Sequence, residues 1–158
     1  MSRATIKIDR KAETVWAFFT KPANWTKWHE RAVMKEVSPG WQKGATITWD
    51  QGPISTIRSF STGKTVEIES PYISTTFSFT PLKGGATSVD VDFAPRGGAT
   101  FNDGGMAHEK TVNAQLSRLK QCIESETSQD LAVNHEKLES TTRENKANIQ
   151  KKWWQLGR

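Results

Sequence analysis

From Val33 to Ala94 the apolar residues of this chain recur with a period of two, and this stretch constrains the fold more than any other. Breaks fall at Pro39-Gly40, Gln51-Gly52-Pro53, Thr62-Gly63, Ser70-Pro71 and Lys83-Gly84-Gly85, each carrying residues that favour turns. The pattern predicts about six strands joined as hairpins in an antiparallel meander. Val66 and Ile68 point one way, and Glu67 and Glu69 the other. Ile73, Thr75, Phe77 and Phe79 share a face, as do Val89, Val91 and Phe93, leaving Asp90 and Asp92 opposite. Between Pro53 and Ser61 the more apolar phase places Ile54, Thr56, Arg58 and Phe60 inward. Each strand is therefore half-buried, and the sheet has a single apolar face that something must cover.

The cover is legible downstream. Val112, Leu116, Leu119 and Ile123 repeat at spacings of four and three, the stripe of an amphipathic helix running from about Gly105 to Glu124. Asn102 or Asp103 offers the N-cap, and Gly104-Gly105 supplies either a tight loop or a hinge. Upstream, Thr5 to Ile8 reads as a strand, and Asp9 is placed to cap a first helix. Val15, Phe18 and Phe19 give that helix its buried side, and Pro22 ends it. A short second helix over Ala23 to Trp28 sets Trp25 and Trp28 on one face as a plug against the sheet.

The chain has 158 residues, one cysteine and a net charge of +5. That length holds a real core without disulfides or metal. Cys122 has no cysteine to pair with and sits beside the apolar stripe, where it reads as a small, partly buried side chain. The basic residues are scattered rather than gathered along one face, which argues against nucleic-acid binding. No apolar run approaches the roughly 18 residues of a membrane span, and no leader-like segment opens the chain, so the expectation is a cytoplasmic protein without stable membrane insertion.

Ile6, Ile8, Val15, Trp16, Pro22, Trp25 and Trp28, then Gly40 and Gly44, the Gly84-Gly85-Ala86-Thr87-Ser88-Val89 approach to the last strand, and the Leu116-x-x-Leu119-Lys120-x-x-Ile123 ending together form a recognisable pattern. It resembles the START-like (SRPBCC) superfamily, and within it the polyketide cyclase/dehydrase-like branch, over about Thr5 to Glu124. The resemblance implies an α+β helix-grip fold: a curved antiparallel sheet of about seven strands wrapped around a long C-terminal helix, with two short helices after the first strand. It implies a cavity between sheet and helix. It leaves function open, because one scaffold hosts carriers, receptors, cyclases and chaperone activators.

The side chains expected at that cavity are Trp49, Ile54, Arg58, Phe60, Val66, Ile68, Ile73, Thr75, Phe77, Phe79, Val91 and Phe93, with Val112 and Leu116 from the helix; Ile47 and Val89 belong to the same faces. Arg58 carries the most chemistry, as the partner of a ligand carboxylate or of a developing oxyanion; the alternative is that a bulge or the sheet's edge sends it to solvent, or that it pairs with an inward acid such as Glu36. His29 and Thr75 are its auxiliaries if the protein is a cyclase or dehydratase. His29, His108 and His135 show no metal-ligand spacing, no nucleophile motif is present, and no catalytic residue, metal or cofactor is assigned. The leading expectation is binding of a small hydrophobic or amphipathic ligand: lipid, isoprenoid or aromatic polyketide-like. A cyclase/dehydratase and a chaperone-activator-like interaction module are the alternatives. Residues 1–125 are expected to form the helix-grip domain. Residues 126–158 read as a polar extension, helical or disordered, whose Trp153 and Trp154 would serve a homodimer or a protein partner.

Overall fold

The computed structural model describes residues 2–29 and 33–125. Strand β1 (Ser2–Ile8) leads into α1 (Ala12–Phe19), a 3₁₀ turn (Pro22–Asn24) and α2 (Trp25–Trp28). Six strands follow: β2 (Met34–Ser38), β3 (Thr46–Trp49), β4 (Ser55–Ser61), β5 (Thr65–Glu69), β6 (Ile73–Pro81) and β7 (Thr87–Pro95). Residues 106–125 form the long helix α3. The seven strands make one curved antiparallel sheet in the order β1-β7-β6-β5-β4-β3-β2, so this is the expected helix-grip architecture.

The meander forms from neighbouring hairpins, but β1 pairs with β7 across most of the domain, from Ser2↔Phe93 to Ile8↔Thr87. Outer-face polar pairs hold that register. Arg3 Nε donates to Asp92 Oδ1 at 2.8 Å, and the Thr5 hydroxyl donates to Asp90 Oδ1 at 2.7 Å.

Helix α3 buries Val112, Leu116, Leu119 and Ile123 against the sheet. Its start is set as expected by Asp103, whose carboxylate accepts from the Gly105 and Ala107 amides at 3.0 and 2.8 Å. These bonds, Ala107's foremost, hold the Asp103 carboxyl below its usual range. Gly105 has φ +94°, and a Cβ there would lie 2.8 Å from Ser2 Oγ, so backbone and space both demand glycine.

Asp9 does not cap α1. That helix begins three residues later at Ala12 behind Lys11, with no side-chain cap. The Asp9 amide instead donates to Glu124 Oε1 at 3.0 Å, and its carboxylate lies 3.9 Å from both Lys7 and Lys120. Asp9 thus ties β1 to the end of α3.

At the C-terminus of α1, carbonyls left without helical partners are met by the next element. Trp25 Nε1 donates to the Phe19 carbonyl at 2.7 Å, and Asn24 Nδ2 to that of Phe18 at 3.1 Å. Phe19 is fully buried and centres an aromatic cluster, with ring centroids 4.9 Å from Phe77, 5.0 Å from Phe79 and 5.0 Å from Trp25. Trp25 and Trp28 are buried over the apolar face of the sheet, as the spacing of three predicts.

Candidate functional site

Between the apolar face of the sheet and α3 lies a cavity of about 470 Å³, within the size range of small-molecule sites. The sheet contributes Trp49, Ser55, Ile68, Ile73, Thr75, Phe77 and Val91, and α3 contributes His108, Thr111, Val112, Gln115 and Leu116. Trp25, Trp28 and His29 enclose one end, and the loops bearing Gln51, Pro53, Ser70 and Tyr72 complete the wall. Tyr72 is 65% exposed, which places it where cavity meets solvent. Among the described residues, no Asp, Glu, Lys or Arg lines this space.

Trp49, Ile68, Ile73, Thr75, Phe77, Val91, Val112 and Leu116 are thus brought to the cavity. The other positions expected there are not. Val66 and Phe79 are buried in the core, and Phe60 packs on Trp16 with centroids 5.6 Å apart. Phe93 is buried beside Phe101 and His108, against a smaller cleft of about 200 Å³.

Arg58 and Ile54 are corrections. A bulge lies between Ile57 and Ser59, where the pairing steps from Ile57↔Ile68 to Ser59↔Glu67 and Arg58 is the extra residue. Before the bulge Ser55 and Ile57 face inward; after it Phe60 does. Reading one continuous phase through the bulge selects the wrong face for its first half. Ile54 is accordingly 57% exposed, Thr56 is exposed, and the Arg58 side chain is 63% exposed. Arg58 Nη1 donates to Glu69 Oε1 at 2.9 Å on the outer face, and Arg96 Nε lies 3.4 Å from the same oxygen. Arg58 therefore serves as no oxyanion partner inside the cavity.

The polar chemistry of the cavity lies elsewhere. His29 follows α2, stacks on Trp49 with centroids 6.1 Å apart, and lies 5.5 Å from Trp28 at nearly a right angle. Its Nδ1 is buried and has no hydrogen-bond partner among the described residues, and the same holds for the Trp28 indole nitrogen. Burial pushes the His29 imidazole below its usual range. His108, in the first turn of α3, meets Phe93 edge-on at 4.5 Å and stacks on Phe101 at 5.6 Å. Burial lowers its pKa as well. Ser55 is 4% exposed and accepts the Trp49 indole N–H at 2.9 Å, which orients its hydroxyl and leaves the O–H able to donate.

His108 escaped sequence reasoning although a signal existed: it stands four residues before Val112 and eight before Leu116, on the same stripe. Ser55, Gln51 and Ser70 carried no comparable signal. Cys122 is partly buried, with its Sγ 3.6 Å from the Lys27 carbonyl. Among the described residues no group of His, Cys, Asp and Glu is arranged to hold a metal, and no helix is long and apolar enough to cross a membrane. His135, Trp153 and Trp154, with the rest of the expected extension, lie outside the described residues.

Solved structures share this fold. A protein from Nitrosospira multiformis superposes with a TM-score of 0.64 at 13% identity, covering 80% of this chain and 98% of that one. CalU16 from Micromonospora echinospora gives 0.60 at 14% identity over 80% and 78%. DynU16, from the dynemicin biosynthetic locus, gives 0.61 at 16% identity over 77% of this chain and 46% of its own. No curated protein is detectably similar in sequence. Residues 2–124 match the family described as polyketide cyclase/dehydrase and lipid transport, and the chain belongs to that family, on the START-like helix-grip fold.

Proposed function

We propose that this protein binds a small hydrophobic or amphipathic molecule in the cavity between its sheet and α3. One observation carries the reading: the cavity of about 470 Å³ has an aromatic and aliphatic wall with a few neutral polar groups. A ligand burying roughly 300–400 Å² of apolar surface gains roughly 8–10 kcal/mol gross. Association and ordering costs remove several kcal/mol, so micromolar binding requires no further chemistry. The family description, which spans cyclases and lipid carriers, supports the same reading. Native mass spectrometry of the protein as purified, followed by denaturation, tests it. A copurified small molecule is expected, or failing that, saturable binding of an apolar fluorescent probe that a Leu116→Trp substitution blocks. A probe bound equally by both proteins refutes the cavity as the site.

A catalytic reading of the same cavity is favoured by one observation: His29 and His108, both held toward the neutral form by burial, line it together. Neutral imidazole is suited to proton transfer next to a carbonyl, and His29 takes the place in this reading that the sequence suggested for Arg58. Dehydration of 4-hydroxy-4-phenylbutan-2-one to the conjugated enone and water is the assay. Acceleration by the protein, lost in His29→Gln, supports the reading, and bound but unreacted probe refutes it. An interaction module with a sealed core is disfavoured by the cavity itself.

A further inference from the structure

We infer that the stacked rings of His108 and Phe101 form a partition that sets the length of ligand the cavity accepts, by closing it off from the cleft beside β1. The inference rests on the ligand-binding reading above and adds to it the residues that select by length.

The two spaces adjoin across the sheet. Thr75 of β6 lines the cavity of about 470 Å³. The next residues along its cross-strand row, Phe93 of β7 and then Ser2 of β1, line the cleft of about 200 Å³. Neighbouring strands lie about 4.8 Å apart, so the step from one space to the other is the width of a single strand. The chain entering α3 repeats the step: His108 borders the cavity, and Gly104, four residues earlier, borders the cleft. Cavity and cleft are thus two compartments of one layer between sheet and helix.

What stands between them is aromatic. The His108 ring meets Phe93 edge-on at 4.5 Å and lies nearly parallel to the Phe101 ring, at 14° with centroids 5.6 Å apart. His108 borders the cavity and Phe101 the cleft, so the stack presents one ring to each side. Phe101 lies between Gly97-Gly98 and Gly104-Gly105, all four with positive φ. Turns of that kind suit glycine, and they carry the Phe101 ring back to within 6.2 Å of Phe93 by centroid.

Length selection then follows from the hydrophobic effect. Each methylene that enters the cavity strengthens binding about fourfold. A chain that has reached His108 must turn toward the mouth at Tyr72, itself 65% exposed, where further methylenes stay in water and add nothing. Without the two rings the chain continues into the cleft and goes on gaining.

Calorimetric titration of the full chain with the straight-chain alcohols from 1-hexanol to 1-tetradecanol tests this. In the unaltered protein affinity should rise about fourfold per methylene and then level off. In His108→Ala/Phe101→Ala the rise should continue through several longer homologues. Either single variant, with one ring still in the path, should level off close to the unaltered length. A steady rise through 1-tetradecanol in the unaltered protein, or a double variant that levels off with it, overturns the partition and leaves the ligand-binding reading standing. Binding of none of the alcohols by the unaltered protein overturns both. If the double variant fails to fold, the unaltered protein still decides: nuclear Overhauser contacts from the longest alcohol on the rising limb should reach the His108 ring, and contacts to the Thr100 methyl, which borders the cleft, overturn the partition.

Discussion

Deleting Arg58 should be nearly neutral, although it shortens a central strand by one residue. The ladder steps from Ile57↔Ile68 to Ser59↔Glu67, with Arg58 standing outside it as the bulge. Without it Ile57 still points in, Ser59 out and Phe60 in, which is regular alternation. The main loss is the ion pair to Glu69, and because the Arg58 side chain is 63% exposed that pair is worth about 0–1 kcal/mol. Glu69 keeps Arg96 at 3.4 Å. Deleting Thr56, two residues upstream in regular strand, should behave very differently. A slip of one residue moves side chains to the opposite face, and Ile57, fully buried, would be expelled or its site emptied at about 2–5 kcal/mol. Urea unfolding followed by tryptophan fluorescence separates the two. With a slope of about 2 kcal/mol per molar, the Arg58 deletion should move the midpoint by less than about 0.5 M and the Thr56 deletion by about 1–2.5 M. Binding of an apolar probe should survive the first. If the Arg58 deletion costs as much as the Thr56 deletion, or abolishes probe binding, the bulge supplies curvature that the sheet needs to wrap α3, and the reasoning here fails.

Phe19→Ala should cost about 3–5 kcal/mol, because the side chain is fully buried and its ring lies within 5.0 Å of Phe77, Phe79 and Trp25 by centroid; the urea midpoint checks it. Gly105→Ala should destabilise by more than about 1 kcal/mol, since φ is +94° and the new Cβ would lie 2.8 Å from Ser2 Oγ; Gly104→Ala, with φ +68° and open space, should cost less in the same melt. Acid should weaken the fold through His29 and His108, whose folded pKa values burial holds below the ordinary one. The unfolded chain then binds more protons, so stability rises with pH: the contribution is intact above about pH 6.5, is lost as pH falls below that value, and levels off beneath the folded values. The His29→Gln/His108→Gln double variant should show a shallower difference between urea midpoints at about pH 7.5 and about pH 5 than the unaltered protein.

Local periodicity determined most of this architecture. The alternation in β5, β6 and β7 placed Val66, Ile68, Phe77, Phe79, Val89, Val91 and Phe93 on the apolar face, because side-chain direction in an uninterrupted strand depends only on the parity of position. The stripe on α3 and the spacing of Trp25 and Trp28 follow from helical geometry in the same way. Parity was misleading in β4, where one extra residue resets it, and the amino acids around Arg58 do not announce a bulge. The pairing of β1 with β7, the diversion of Asp9 to Glu124, and the meeting of His29 with Ser55 and His108 in one wall join residues far apart in sequence. Tertiary structure alone decided those, because a cavity is the space left after distant elements have packed, and periodicity reports the face a residue occupies without naming what stands opposite.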